Sequence, residues 1–276
     1  MNFTNVKRYN QTFLFYGLST IIPWTLWFLA AYVSHNFDQD SQKLSSIIAF
    51  LGLLAPFIIA LFLILPSKEL KQDFFSRFLN LRSIKLRYIL AACLLMLASI
   101  LAAQLVSTLF GYSFDQFRIT GSFTFTSGVF AVWFLLIFAP VIEELAWHSY
   151  GTDCLRTRFN LFTTSMIFGL FWGLWHLPLS FIKGYYHSNL VESGLIYSVN
   201  FIVSLFPFVI IMNWLYYKAH RNILIPIIFH ITAGYFNEIF ATHPMSKVIQ
   251  TALLLIFSAF IILNDKDFFF NQKNKM

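Results

Sequence analysis

An all-α, polytopic membrane helical bundle of about eight helices is the fold class this sequence predicts, and three observations predict it. Of the 276 residues, 58% are hydrophobic and only 11% are charged, whereas a soluble domain carries about 25% charged residues. Eight apolar stretches recur along the chain, at 12–33, 46–65, 88–110, 127–149, 162–182, 194–217, 223–241 and 247–264. A helix needs about 20 such residues to cross a bilayer, and in lipid each segment satisfies its own backbone only as a helix. The basic residues also alternate between the connections. With both termini cytoplasmic, 15 of the 19 Lys and Arg residues fall inside, and only Lys43, Arg118, Lys183 and Lys247 fall outside. That asymmetry is the one that sets membrane topology. The whole chain, 1–276, reads as a single multi-pass integral membrane domain, in the cell membrane if the host is bacterial.

Each element has its own justification. Lys7 and Arg8 precede a first apolar run longer than the roughly 7–15 residues of a signal peptide, so that run reads as a retained span. The second span leads into SKELKQDFFSRFLNLRSIKLR, 67–87, the richest basic connection. Phe74, Phe75, Phe78 and Leu79 recur there at near-helical spacing. That fits an amphipathic helix held on the inner leaflet by acidic lipids, or a basic topological anchor with no further role. Cys93 lies in the third span and reads as a buried apolar thiol; with Cys154 it makes neither a disulfide framework nor a metal-ligand spacing. Trp214, Tyr216 and Tyr217, just before Lys218, read as an interfacial aromatic belt. The net charge of +7 lies between apolar runs rather than on a soluble domain, so it speaks for topology and against a nucleic-acid partner. The lipid bilayer is the first partner implied.

Few ionisable residues lie within the predicted spans: Glu143, Glu144, His148, His176, His230 and Glu238. Charge at membrane depth costs a few kcal/mol at least, about 2.5–3.5 on insertion scales, and marks cavities and function. Glu143 and Glu144 are adjacent, hence about 100° apart on a helix, so they cannot both face one substrate squarely. His148 is one turn after Glu144, on the same face. A lone histidine such as His176, in FGLFWGLWHLPLSF, would ordinarily be a hydrogen-bonded core residue. Together with His230, in IPIIFHITAGYFNEIF, and the two acids, it makes a set spread over three spans. Acids plus imidazoles, with no lysine or arginine, suit proton transfer or metal ligation. Phe171, Trp172 and Trp175 read as core filler, and Asn237 and Glu238 as packing.

Two mechanisms fit these residues. In one, a glutamate is the general base that activates water for attack on a carbonyl, and the histidines orient that water or stabilise the oxyanion. In the other, Glu and His hold a divalent metal that activates the water. No cofactor is demanded, because no HExxH or Cys/His cluster is present. No GxSxG elbow supports a serine hydrolase. The substrate is then a protein or peptide at the membrane. A small transporter using the carboxylates as proton sites is a third reading.

Taken in order, Glu-Glu at the end of one span, WGLWHLPL in the next and FH in a third resemble the CAAX-protease and bacteriocin-processing (CPBP, or Abi) family of intramembrane endopeptidases, which is similar to the type II CAAX prenyl endopeptidases. The resemblance covers 127–241, the expected catalytic core, and the family's motifs are EExxxR, FxxxH and HxxxN. It implies a glutamate-dependent peptide hydrolysis, read with and without a metal, of a membrane-associated substrate that in some members is prenylated. It implies that Glu143 polarises the water, that Glu144 is a second acid held by the motif arginine, that His176 helps Glu143 position water, and that His230 stands on the oxyanion side. Cleavage is expected near the inner leaflet.

The departures are specific. The motif arginine is replaced by His148, the phenylalanine by Trp172 and the asparagine by Gly234. His148, paired with Glu144, is a supporting candidate, with Arg156 or Arg158 reaching back as alternatives. Asn237, nearly a turn beyond Gly234, is the candidate for a shifted donor. These changes keep a second function open, that of a catalytically impaired member acting as a membrane partner-binding or immunity protein. The depths also disagree. Glu143 and His230 lie about 10 Å from the predicted inner ends and His176 about 20 Å, at about 1.5 Å per residue. The fifth span therefore has to tilt or begin with an interfacial stretch if the three are to meet.

Overall fold

The computed structural model describes residues 8–36, 39–79, 84–126 and 128–271. Lys7, Arg82, Lys273 and Lys275 of the inner basic set lie outside the described residues. All eight predicted stretches are helical, but they are not eight equal spans. Among the described residues six helices are long and apolar enough to cross a membrane, and the chain is an integral multi-pass membrane protein. They are α1 (Thr12–Asn36), α2 (Gln39–Ile64), α4 (Leu86–Thr108), the run made by α5 (Val132–Ala146) and α6 (Thr152–Arg156), α9 (Leu195–Lys218) and α11 (Pro244–Asn264).

A seventh span is broken. Helix α7 (Leu161–Trp175) ends at His176, a 3₁₀ turn with Pro178 near its start follows, and the chain bends by 84° into α8 (Tyr186–Ser193). Proline lacks the N–H that would continue the helix. The eighth, α10 (Leu224–Ile239), has 16 residues, about 24 Å at 1.5 Å per residue. It is too short to cross alone and is packed among α4, α5 and α9. Helix α3 (Lys68–Leu79) lies between α2 and α4, and α12 (Lys266–Phe270) closes the described chain.

The fourth span departs most from expectation. It starts at Val132, not at 127, after Gly128 adopts a left-handed φ of +64°. It also does not stop near Gly151, because a π-helical turn, Trp147–Gly151, carries it on to Arg156. Arg77 of α3 holds that turn, donating through Nη1 to the His148 carbonyl and through Nη2 to the Ser149 carbonyl, both at 2.9 Å. The Tyr216 hydroxyl donates to the same His148 carbonyl at 2.8 Å. Carbonyls that a π turn displaces from regular helix bonding are thereby satisfied from outside, as burial requires.

The same arginine joins a closed ionic cluster. Arg77 Nη1 lies 2.8 Å from Asp153 Oδ2, and Arg221 Nη2 lies 3.1 Å from Asp73 Oδ2. Arg221 also donates to Asp153. His220 and Arg221 adopt left-handed φ values of 57° and 62°, a conformation costing about 1–2 kcal/mol per non-glycine residue. Ion pairing of the inward-turned Arg221 offsets that strain. Burial alone would raise the Asp73 carboxyl, but the guanidiniums of Arg77 and Arg221 outweigh it and hold it below the usual carboxylate range. Three expectations change here. Arg77 and Arg221 are buried structural cations rather than loop charges. Connection 67–87 is more than an anchor, because Asp73 and Arg77 dock α3 onto the bundle. Tyr216 and Tyr217 face Asp153 rather than forming a belt.

Helices α7 and α9 pack closely through Gly169 and Gly173. A Cβ at Gly169 would stand 3.3 Å from Phe206, and one at Gly173 would stand 3.3 Å from Ile202. Small residues four apart are a common way for membrane helices to approach. The approach matters because Trp172, between them, carries its indole to the acids of α5.

Candidate active site

Extension of the fourth span removes the depth conflict. Glu143 is thirteen residues from Arg156 and His176 is fifteen from Leu161, each about 20 Å at 1.5 Å per residue. The short α10 begins just after the buried Arg221, which is bonded to Asp153. His230 and Glu144 are each nine residues from that shared floor, so they meet.

The two acids are then used differently. Glu144 is fully buried and both its oxygens are taken. His230 donates from Nδ1 to Oε1 at 2.7 Å, and His148 donates from Nδ1 to Oε2. Glu143 sits one residue earlier and faces a cavity of about 500 Å³ that His176, His230 and Trp172 also line. Its Oε2 accepts the Trp172 indole N–H at 3.0 Å and lies 4.0 Å from His176 Nε2. Trp172, expected as filler, is filler that also holds an acid.

Hydrogen bonding assigns the imidazole protons. A backbone carbonyl only accepts, so the 2.7 Å contact to the Trp172 carbonyl places a proton on His176 Nδ1. In the neutral ring Nε2 then carries a lone pair directed at Glu143. His148 is not in the cavity and takes the place of the motif arginine from behind. Its Nε2 lies 2.9 Å from Asn213 Oδ1, Asn213 Nδ2 donates to Ser165 Oγ at 3.0 Å, and Ser165 donates to the Leu161 carbonyl at 2.9 Å. Through that chain of donors Asn213 turns its carbonyl oxygen toward His148, so the ring is gripped between Asn213 and Glu144. Arg156 and Arg158 do not reach back: Arg156 donates to the Phe159 carbonyl and Arg158 lies over Phe13.

The remaining candidates separate. Gly234 lines the cavity, and a Cβ there would meet only Leu136, at an ordinary 3.6 Å. Asn237 lines it too but donates to its own helix, to the Ala233 carbonyl at 2.9 Å. Glu238 accepts from the N–H and hydroxyl of Thr124 at 3.0 and 2.7 Å, fastening the connection that precedes α5. Among the described residues, no group of three or more His, Cys, Asp or Glu gathers to hold a metal ion.

Beyond the acids, the cavity wall includes Thr124, Tyr186, His187 and Lys247. Tyr186 and His187 open α8, Lys247 lies in the first turn of α11 and Thr124 is in the connection before α5. Sequence reading missed Asn213, Ser165 and His187. A polar residue inside an apolar run was the available signal for Asn213.

Residues 124–236 match the family model for the Rce1-like type II CAAX prenyl endopeptidases. The chain is also 39% identical, over 97% of its own length and 99% of the relative's, to a CAAX prenyl protease 2 of Methanococcus maripaludis. The chain belongs to the Rce1-like family. As an Rce1-like protein it is a membrane protease, a peptide hydrolase. The matched segment holds α5, the broken α7–α8 span, α9 and most of α10, the elements that carry the acids and imidazoles.

Proposed function

We propose that this protein hydrolyses a peptide bond of a membrane-associated protein or peptide by glutamate-activated water, with prenylated C-a-a-X ends as the leading substrate class. The observation that carries the reading is the asymmetry between neighbouring acids. Glu144 is saturated, while Glu143 faces the cavity 4.0 Å from the lone-pair nitrogen of His176. That distance is too long for a direct hydrogen bond and suits a bridging water. Glu143 takes a proton as the water oxygen adds to the scissile carbonyl. It returns that proton to the amine as the C–N bond breaks. His230, held by Glu144, presents Nε2 to the cavity, and in its protonated form that N–H is a donor to the oxyanion. Apolar wall residues such as Leu53, Met96, Leu136 and Ala139 suit an isoprenoid chain.

The test is cleavage of a farnesylated C-a-a-X peptide by purified protein, read by mass spectrometry. Glu143→Gln is expected to lower the rate by about 10²–10⁴, the worth of a general base, with melting in detergent unchanged. A Glu143→Gln rate equal to wild type would sink the mechanism. Gly234 supports a second reading, because without an asparagine donor the chain loses about 10²–10³ in rate on the usual worth of one oxyanion contact. A partner-binding or immunity protein would yield no new peptide termini in cells, where a protease yields them.

A further inference from the structure

The cavity holds an imidazole with no part in the mechanism above. His187 lies on α8, just past the break after His176, and shares the cavity with Glu143, His176 and His230. Its ring stacks on that of His176, with centroids 5.1 Å apart and planes 26° apart, and meets Phe201 edge-on at 4.8 Å. Both of its ring nitrogens are buried, with essentially no accessible surface in this conformation, and neither has a hydrogen-bond partner. A neutral imidazole carries one N–H donor and one lone pair. Leaving such groups buried and unpaired costs about 1–3 kcal/mol each, so native structures nearly always pair them.

Its position is built. Asn189 donates to the Thr124 carbonyl at 2.8 Å and the Thr126 N–H donates to the Gly184 carbonyl at 3.1 Å. Gly184, at a φ of +78°, makes the turn into α8. A glycine turn and two tethers thus hold an unsatisfied donor and acceptor against the face of His176. A peptide backbone offers the complement, a carbonyl that accepts and an N–H that donates. Gly234 has no side chain to supply a donor to it.

We propose that His187 is a substrate-binding residue that hydrogen-bonds the peptide backbone beside His176 and supplies a side-chain contact that Gly234 cannot. This rests on the hydrolase reading. The experiment compares His187→Phe, which keeps the stacked ring and removes both nitrogens, with His187→Gln, which removes the ring and keeps a donor and an acceptor. The probe is the farnesylated C-a-a-X peptide, read as kcat and KM. His187→Phe is expected to lower kcat/KM about tenfold or more, the scale of one lost hydrogen bond, and His187→Gln to stay within about threefold. The reverse order, equal loss in both variants, or no loss in either would overturn the proposal, because each leaves the nitrogens without a role. Wild-type cleavage of the same peptide tests the parent reading separately. Were wild type inert, the hydrolase reading would fall and this one with it.

Discussion

Two buried clusters of ionisable residues lie about three turns apart on one helix, and they are built to opposite rules. At Asp153, two carboxylates and two guanidiniums close on one another, with Tyr9, Tyr216 and Tyr217 filling the remaining positions. At Glu143 the count does not close. Glu144 is saturated by two imidazoles, while Glu143 and His176 face a cavity and both nitrogens of His187, in its wall, are buried without partners. The contrast separates charge used for docking helices from charge held ready for a substrate. Burial alone does not distinguish them; the unpaired valences do.

Mutations should break the two clusters differently. Glu143→Gln should produce the largest loss of cleavage while leaving the melting temperature in detergent as it was. Arg77→Ala should do the reverse. Removing one partner of a buried ion pair costs about 3–5 kcal/mol; the Ser149 carbonyl also loses its Arg77 donor and the His148 carbonyl keeps only Tyr216. Arg77→Ala is therefore expected to melt well below wild type, and whatever rate survives should track the folded fraction. Equal melting of Arg77→Ala and wild type would contradict the structural role given to the lower cluster.

A gain is expected at Gly234. Its backbone has no special conformation and its neighbourhood admits a side chain at ordinary contact distance. Gly234→Asn should fold normally and raise kcat toward the factor of about 10²–10³ attributed to one oxyanion donor. A rate unchanged from wild type would mean that a side chain at 234 does not reach the oxyanion.

The smallest effect is on acid stability. The Asp73 carboxyl is held below its unfolded value, so the folded state binds fewer protons than the unfolded one in that window. Its contribution is fully present at neutral pH, above the unfolded value near about 3.9, and is lost as pH falls through the lower folded value. A melting series in detergent from pH 7 to about pH 3 should show this decline, reduced in Asp73→Asn. A parallel decline in both proteins would remove Asp73 as its source.

Much of this was legible before any fold was known, and the failures have physical causes. Apolar length is enough to find helices in lipid, so all eight were found. Apolar pattern ends at Gly151, yet the helix continues to Arg156, because Arg77 from a distant helix caps a π turn that no local signal announces. That single extension brought Glu143 level with His176. The break after His176 was not read from the sequence, where 162–182 stood as one span, although Pro178 was the available signal. The 16-residue length of α10 looked like one more span because a helix buried among α4, α5 and α9 is as apolar as one facing lipid.

What the sequence determined by itself was the inventory: membrane class, helix order, and four acid and imidazole positions on three helices. Each of these depends on composition or on spacing along one helix. Which of two adjacent acids is free was decided only by the tertiary structure. Glu143 and Glu144 have the same chemistry and nearly the same neighbours in the chain. Glu144 happens to point at His148 and His230, Glu143 at a cavity, and the difference is a 100° turn of one helix resolved by its packing against two others.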